Sequence, residues 1–250
     1  MDLANRTILV TGGATGIGLA LASAFLERGN RVIVASRSRA ALDRAAAAHP
    51  GLATFELDVA DPASIARFVP TLLAAHPDLD VVLHNAGIMR DERLADAPVW
   101  LADAEATIAT NLLGPIRLTA ALLPHLLERP RASILTVSSG LAFVPKLATP
   151  TYSATKAAIH SWSMSLRRQL RDTSVEVIEI APPYVQTELQ GAQQAVDPRA
   201  MPLADFIAEV MSLLAVEPGL PEIIVERCRG LRFAAANGEV DTVFEMLAAL

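Results

Sequence analysis

The sequence predicts an α/β protein: a doubly wound, mostly parallel sheet with helices on both faces. Short apolar runs rich in β-branched residues alternate with segments of helical spacing from residue 6 to residue 181. These runs are apolar throughout rather than alternately polar, as strands covered on both faces must be. Of the 250 residues, 52% are hydrophobic and 19% charged, a balance that suits a sheet held between two helical layers.

The elements follow in order. RTILVT (6–11) is the first strand, ended by Gly12. In IGLALASAFLER (17–28), Ile17, Leu21, Ala24 and Phe25 share one helical face, and Gly29 stands where a helix ends. RVIVAS (31–36) is the second strand, followed by a helix through RAALDRAAAAH (39–49). ATFELD (53–58) is the third, and the helix of DPASIARFVPTLLAAH (61–76) opens on an Asp-Pro start. LDVVLHN (79–85) is the fourth strand, helical segments lie around 103–128, and ASILTVSS (132–139) is the fifth. A helix over 151–171 leads to the sixth, SVEVIEIA (174–181). Strict β-α alternation predicts parallel pairing with right-handed crossovers. No composition break or repeat divides the chain, so residues 1–250 read as one domain. Residues 186–222, rich in proline with a helix expected at 204–216, read as a lid over a site or as a surface excursion.

Composition removes several functions. A net charge of −6 with scattered basic residues offers no footprint for nucleic acid or for an anionic membrane. Cys228 is the only cysteine, which excludes an internal disulfide, and no His or Asn pattern marks it as a nucleophile. It reads as a partly buried small hydrophobe. The five histidines (49, 76, 84, 125, 160) lack metal-ligand spacing, so no metal is expected; His160 reads as a packing or interface residue. The uncharged stretch from Thr7 to Leu26 has the length of a secretory leader, but Thr7, Thr11, Gly12, Gly13, Thr15, Gly16 and Gly18 break its apolar block. No other segment offers about 20 apolar residues for a membrane span. The expectation is a cytoplasmic protein.

TGGATGIG (11–18) joins the first strand to the first helix, the setting in which a glycine pattern gains meaning. Gly12 permits a sharp turn. Gly16 and Gly18 allow close backbone approach to a pyrophosphate, and the helix N-terminus turns free N–H groups towards the anion. A glycine turn without a ligand is the plain alternative.

The spacing G-x-x-x-G-x-G in this loop resembles that of the classical short-chain dehydrogenase/reductase family. Further motifs fall in family order: NAG (85–87), Asn111, SS (138–139), YSATK (152–156) and PPYVQT (182–187). ATNLLGPIRLTAALLPHLL and VSSGLAFVP are similar to the DltE-like oxidoreductases within it. The resemblance implies a single-domain Rossmann fold and an oxidoreductase that passes hydride between a nicotinamide dinucleotide, on its pro-S face, and a carbonyl or secondary alcohol.

For the nucleotide, Ser36 takes the place of the aspartate that the family's NAD users carry, and Arg37 follows it. With no carboxylate to repel a 2′-phosphate and a guanidinium to bind one, NADP(H) is favoured and NAD(H) remains possible. Arg39 is a competitor for that role. Thr15 and Ile17 belong to the phosphate loop; Thr15 stands where some NADP users carry a basic residue. The Asp58-Val59 pair resembles the family's adenine contact, with a helix cap as the plain reading of Asp58. Asn85, Ala86 and Gly87 would floor the adenine ribose, and His84 replaces the usual asparagine before them. Val185 and Thr187 match positions that contact the nicotinamide carboxamide and the phosphates, although Pro183 replaces the customary glycine.

Tyr152 and Lys156, four apart on a helix, share one face. Tyrosine titrates near about 10. A neighbouring ammonium and an oxidised nicotinamide would lower that value, making Tyr152 the general acid/base. The resemblance gives Lys156 a second bond, to the nicotinamide ribose, and gives Ser139 the substrate oxygen. Ser138 points to the opposite side of the strand and reads as structural. The resemblance gives the Asn111 carbonyl a relay water that links to the lysine, and that carbonyl is left free because residue 115, whose N–H would claim it in an α-helix, is proline. A simple kink at Gly114-Pro115 accounts for the same residues.

Leu141, Phe143, Val144, Tyr184 and Leu189 are candidates for an apolar substrate pocket, with Arg90 beside them. Residues 223–250 are atypical in lacking the glycine-rich terminal strand of tetrameric relatives, so a homodimer is expected. A catalytically silent dinucleotide sensor or interaction protein is the alternative function; it has no need of a complete Asn-Ser-Tyr-Lys set. An epimerase or dehydratase would carry a different glycine loop and a longer C-terminal domain.

Overall fold

The computed structural model describes residues 4–96, 98–216 and 219–248. Among these residues, seven strands pair in parallel in the order β3-β2-β1-β4-β5-β6-β7. They are β1 (Thr7–Thr11), β2 (Arg31–Ser36), β3 (Ala53–Glu56), β4 (Val81–His84), β5 (Ala132–Val137), β6 (Val175–Ala181) and β7 (Glu222–Ile224). The chain winds outwards from β1 to β3, then restarts on the other side at β4. The point of reversal lies between β1 and β4, where such sheets open a crevice at the carboxyl ends of their strands.

Between the strands run α1 (Gly16–Leu26), α2 (Arg39–Ala48), α3 (Pro62–Ala75), α4 (Leu101–Ile108), α5 (Gly114–Leu127), α6 (Pro150–Leu170), α7 (Ala192–Ala195) and α8 (Leu203–Val216). The chain closes on α9 (Arg229–Asn237) and α10 (Val240–Ala248). Strands β1, β4 and β5 are buried along their whole length, and each sheet face has its own apolar core. Leu21 and Phe25 of α1 join Phe206 and Val210 of α8 on one face, while Leu72, Leu118 and Leu122 of α3 and α5 pack on the other. The stretch from Thr7 to Leu26 is therefore central strand, glycine loop and core helix.

Three features depart from the sequence expectation. A seventh strand extends the predicted six; three residues between Pro221 and Val225 are too few to register as a periodic run. The plain reading of Asp58 as a cap fails: Asp61, of the expected Asp-Pro start, caps α3 and accepts the N–H groups of Ala63 and Ser64 at 2.8 and 3.1 Å. The helical stretch Leu101–Leu127 is, by length and hydropathy, long and apolar enough to cross a membrane, contrary to the expectation that no such segment exists. Here it is a core helix, with Leu118, Leu122 and Leu126 fully buried against the sheet.

That helix is not uniformly wound. Residues Ala109–Leu113 form a π-turn, with the Gly114 N–H donating to the Ala109 carbonyl. Pro115 has no N–H to offer, so the hydrogen-bond ladder slips by one residue where the α-pattern cannot continue. A Cβ on Gly114 would lie 3.0 Å from Val59, so the glycine lets this turn press against the chain after β3.

Candidate active site

A cleft of about 770 Å³ opens along the carboxyl ends of the strands. Gly12, Thr15, Gly16 and Ile17 form one end; Ser139, Tyr152 and Lys156 lie further along. Gly12 and Gly16 have φ of +64° and +55°, a backbone that side chains disfavour. A Cβ on Gly12 would sit 2.8 Å from the Ala86 Cα, and one on Gly18 would strike the Gly12 carbonyl at 2.5 Å and the Asn85 amide. The loop is thus pressed against the end of β4, and Gly18 serves helix–strand packing. The Asn85 amide secures the arrangement, donating to the Thr11 and Gly12 carbonyls at 3.1 and 3.2 Å. Thr15, at the N-cap of α1, makes no side-chain bond to the first-turn N–H groups. Those donors and the helix dipole face the cleft, a set that fits a pyrophosphate.

Ser36 and Arg37 line the same end. Arg39 pairs with Asp43 at 2.8 Å one turn along α2, which engages the competing guanidinium elsewhere. Leu57, Val59, Ala86 and Gly87 also line the cleft. Asp58 does not; its carboxylate accepts the Ala60 N–H at 2.9 Å and shapes the turn after β3. These residues fit an adenine nucleotide: small or apolar walls, a serine hydroxyl and a guanidinium.

At the other end, Asn111 is buried and doubly bonded to Ile88. Its Oδ1 accepts the Ile88 N–H and its Nδ2 donates to the Ile88 carbonyl, both at 2.9 Å. Nδ2 also donates to Thr155 Oγ1 at 3.2 Å, tying the π-turn to α6. A Cβ on Gly87 would lie 3.4 Å from Asn111 Oδ1 and 3.8 Å from Lys156 Nζ, which places the three residues side by side. Lys156 Nζ donates to the Val137 carbonyl at 2.7 Å and has two further N–H groups. Burial pushes its pKa down to about 8, opposed by the carboxylate of Glu179.

Ser139 and Tyr152 line the cleft together, and the serine hydroxyl is near enough to influence the titration of the phenol. Burial pushes Tyr152 up to about 12, against the Ser139 hydroxyl that draws it down. In the chain by itself the direction is thus opposite to that expected with a close ammonium and an oxidised nicotinamide. Lys156 Nζ lies 5.5 Å from the tyrosine ring centroid and spends a donor on Val137, and in the chain alone desolvation outweighs its charge. Ser139 Oγ also accepts the Leu141 N–H at 3.1 Å. Ser138 is bonded from its backbone N–H to the Ile180 carbonyl at 2.9 Å, a sheet contact.

Of the pocket candidates, Leu141, Tyr184, Leu189 and Arg90 line the cleft. Phe143 and Val144 do not. Phe143 packs edge-on against His160 beneath the Arg232 guanidinium, and Val144 is fully buried. His160 Nδ1 is bonded to Glu179 Oε2 at 2.8 Å, so its role is internal. Val185 pairs with Met201 through the backbone, and Thr187 stands close to Gly16. Lys146, Gln194, Leu231 and Leu247 line the cleft without having been singled out in the sequence. The two leucines arrive from α9 and α10, and local patterning carries no signal for so distant a contribution. A Cβ on Gly140 would meet Leu231 at 2.5 Å and Cys228 Sγ at 3.1 Å, so the C-terminal segment packs directly beside Ser139. Cys228 is buried, and its thiol is pushed up to about 12.

Comparison with known proteins agrees with this architecture. The family model for the short chain dehydrogenases matches residues 6–197. The oxidoreductase DltE of Bacillus subtilis, itself uncharacterized, is 40% identical over 99% of this chain and 98% of its own. The NADP-dependent 3-hydroxy acid dehydrogenase YdfG of Salmonella typhi is 34% identical over 71% of this chain and 72% of its own. A short-chain dehydrogenase/reductase from Burkholderia phymatum, solved with NAD, superposes with a TM-score of 0.84 at 18% identity, covering 96% of each chain. A match to the family model through the glycine loop, NAG and YSATK, with a full-length relative at 40% identity, makes this chain an oxidoreductase of the short-chain dehydrogenase/reductase family.

Proposed function

We propose that the chain is an NADP(H)-dependent carbonyl reductase or secondary-alcohol dehydrogenase whose general acid/base is Tyr152. The observation that carries this reading is that Ser139, Tyr152 and Lys156, its Nζ 5.5 Å from the tyrosine ring centroid, line the same cleft as the glycine loop. Gly12, Thr15, Gly16, Ile17 and Gly18 would hold the pyrophosphate, with Thr187 beside them. Arg37 and Ser36 would take the 2′-phosphate, Asn85 to Gly87 the adenine ribose, and Val185 the nicotinamide end. When bound, the dinucleotide supplies or accepts the hydride.

The chain's own residues do the rest. Ser139 Oγ holds the substrate oxygen in line with the tyrosine hydroxyl. Tyr152, neutral because it is buried, donates its proton to that oxygen in reduction. Lys156 keeps a positive charge beside the tyrosine, countering desolvation as the phenolate forms. The Asn111 carbonyl, which Pro115 leaves without its α-helical donor, anchors a water for proton return. The strap over residues 186–222 acts as the substrate lid of a single catalytic domain. A homodimer through helices α4, α5 and α6 would cover the exposed Leu101, Ile108, Leu127 and Met164.

The test is oxidation of NADPH and of NADH across a panel of ketones and 3-oxo acids, the latter chosen because of the Salmonella relative. Turnover is expected with NADPH preferred, and Tyr152→Phe is expected to lose about 10²–10⁴-fold in kcat while still binding dinucleotide. Tight dinucleotide binding with no turnover on any substrate overturns the enzyme reading in favour of a sensor.

A further inference from the structure

The strap that follows β6 places a primary carboxamide inside the cleft. Gln194 is 8% exposed. Its Nε2 donates to the Val185 carbonyl at 2.8 Å and to Thr187 Oγ1 at 3.2 Å. Its Oε1 accepts the Gln190 N–H at 2.9 Å. Val185, Thr187, Gln190 and Gln194 all line the cleft, and a Cβ on Gly16 would lie 3.7 Å from the Thr187 side chain. The amide is therefore well bonded, but at the wall between the phosphate loop and the tyrosine.

A nicotinamide ring carries one hydrogen-bonding substituent, and it is the same functional group: a primary amide with two N–H donors and one carbonyl. A dinucleotide stretched from the glycine loop towards Tyr152 passes the wall that Val185 and Thr187 form. We propose, resting on the dinucleotide reading above, that Gln194 stands in for the nicotinamide carboxamide, holding the Val185 carbonyl and Thr187 hydroxyl until the cofactor's amide takes them over. The exchange has a consequence for the strap. Gln190, whose Nε2 reaches Asp91 Oδ1 at 3.2 Å, loses the Gln194 acceptor for its backbone N–H. Dinucleotide binding thus releases one anchor of the segment that covers the substrate end.

The experiment is fluorescence titration of wild type, Gln194→Ala and the near-isosteric Gln194→Met with NADPH and NADH. Parallel titrations by calorimetry use the same nucleotides without the ring, 2′-phospho-ADP-ribose and ADP-ribose. Removing the competing amide is expected to tighten the preferred dinucleotide about 3- to 10-fold, the worth of a net hydrogen bond or two, and to leave the ringless fragment unchanged. Weaker or unchanged dinucleotide binding overturns the proposal, as does an equal gain for the fragment. If neither variant folds by thermal melt, hydrogen exchange on the wild type decides. The Gln190 N–H is expected to exchange faster when the dinucleotide is added, and slower or unchanged exchange overturns the proposal. A wild type that binds neither dinucleotide overturns the underlying reading and this inference with it, and is recognised by the missing wild-type signal.

Discussion

Lys156 donates from Nζ to the Val137 carbonyl at 2.7 Å, stitching the second turn of α6 to the end of β5. An ammonium in so dry a place is held against its preference. With a pKa pushed from 10.5 to about 8, charging it at pH 7 costs on the order of 3 kcal/mol.

Because the folded-state value lies below the unfolded one, that cost is complete below pH 8 and fades as pH rises towards 10.5. Lys156→Met is therefore expected to abolish turnover and to raise Tm by about 2–6 °C at pH 6.5, after allowance for an unpaired Val137 carbonyl. Melts at pH 10 should show a smaller gain. A destabilised variant at both pH values would mean that the Val137 bond outweighs burial.

Arg37 lines the cleft while Arg39 is paired with Asp43. Arg37→Ala is expected to weaken NADPH binding about 10- to 100-fold and to leave NADH within two-fold, by fluorescence titration. Arg39→Ala should change neither. Equal loss for both nucleotides would assign Arg37 to the shared pyrophosphate or adenine instead.

His84 is buried with Nε2 2.8 Å from Thr119 Oγ1, and burial pushes its pKa down to about 3. A folded-state value below the unfolded 6.5 makes stability complete above pH 6.5 and progressively lost as pH falls towards 3. At pH 4.5 the loss attributable to this residue is on the order of 3 kcal/mol. Urea unfolding of His84→Asn should show a shallower acid decline than wild type. Parallel pH profiles would show that other groups carry the acid sensitivity.

Pro115 withholds the N–H that an α-helix would give to the Asn111 carbonyl, next to the π-turn at Ala109–Leu113. Pro115→Ala restores that donor. The expected result is a fall of about ten-fold in kcat, or ~1.4 kcal/mol of barrier, larger than any change in dinucleotide affinity, with Tm shifting as the π-turn rewinds. An unchanged kcat would remove the Asn111 carbonyl from the mechanism.

Much of the fold is written in short-range pattern. RVIVAS and ASILTV are strands because β-branched apolar runs bounded by turns pack well on a sheet covered on both sides. The glycine loop was legible because its spacing and its strand-to-helix setting agree. What escaped depends on competition between distant groups. The Gly114-Pro115 pair announces a break, but only the fit of Gly114 against Val59 lets the ladder reclose with a π-turn. Whether burial or Lys156 governs the tyrosine depends on where Nζ finds its acceptor, and that acceptor is on another strand. Gln194 sits in QGAQQAVD, an unremarkable polar loop until the chain after β6 folds back to meet it.

The packing of Gly140 against Cys228 and Leu231 makes the C-terminal helices part of the floor under Ser139. It also gives the protein an internal gauge. A single thiol that is buried and held protonated reacts with an alkylating reagent only while its cover is lifted. The labelling rate of Cys228 therefore counts the moments when α9 swings away and the serine loses its support, residue by residue the same event seen from the opposite side of Gly140.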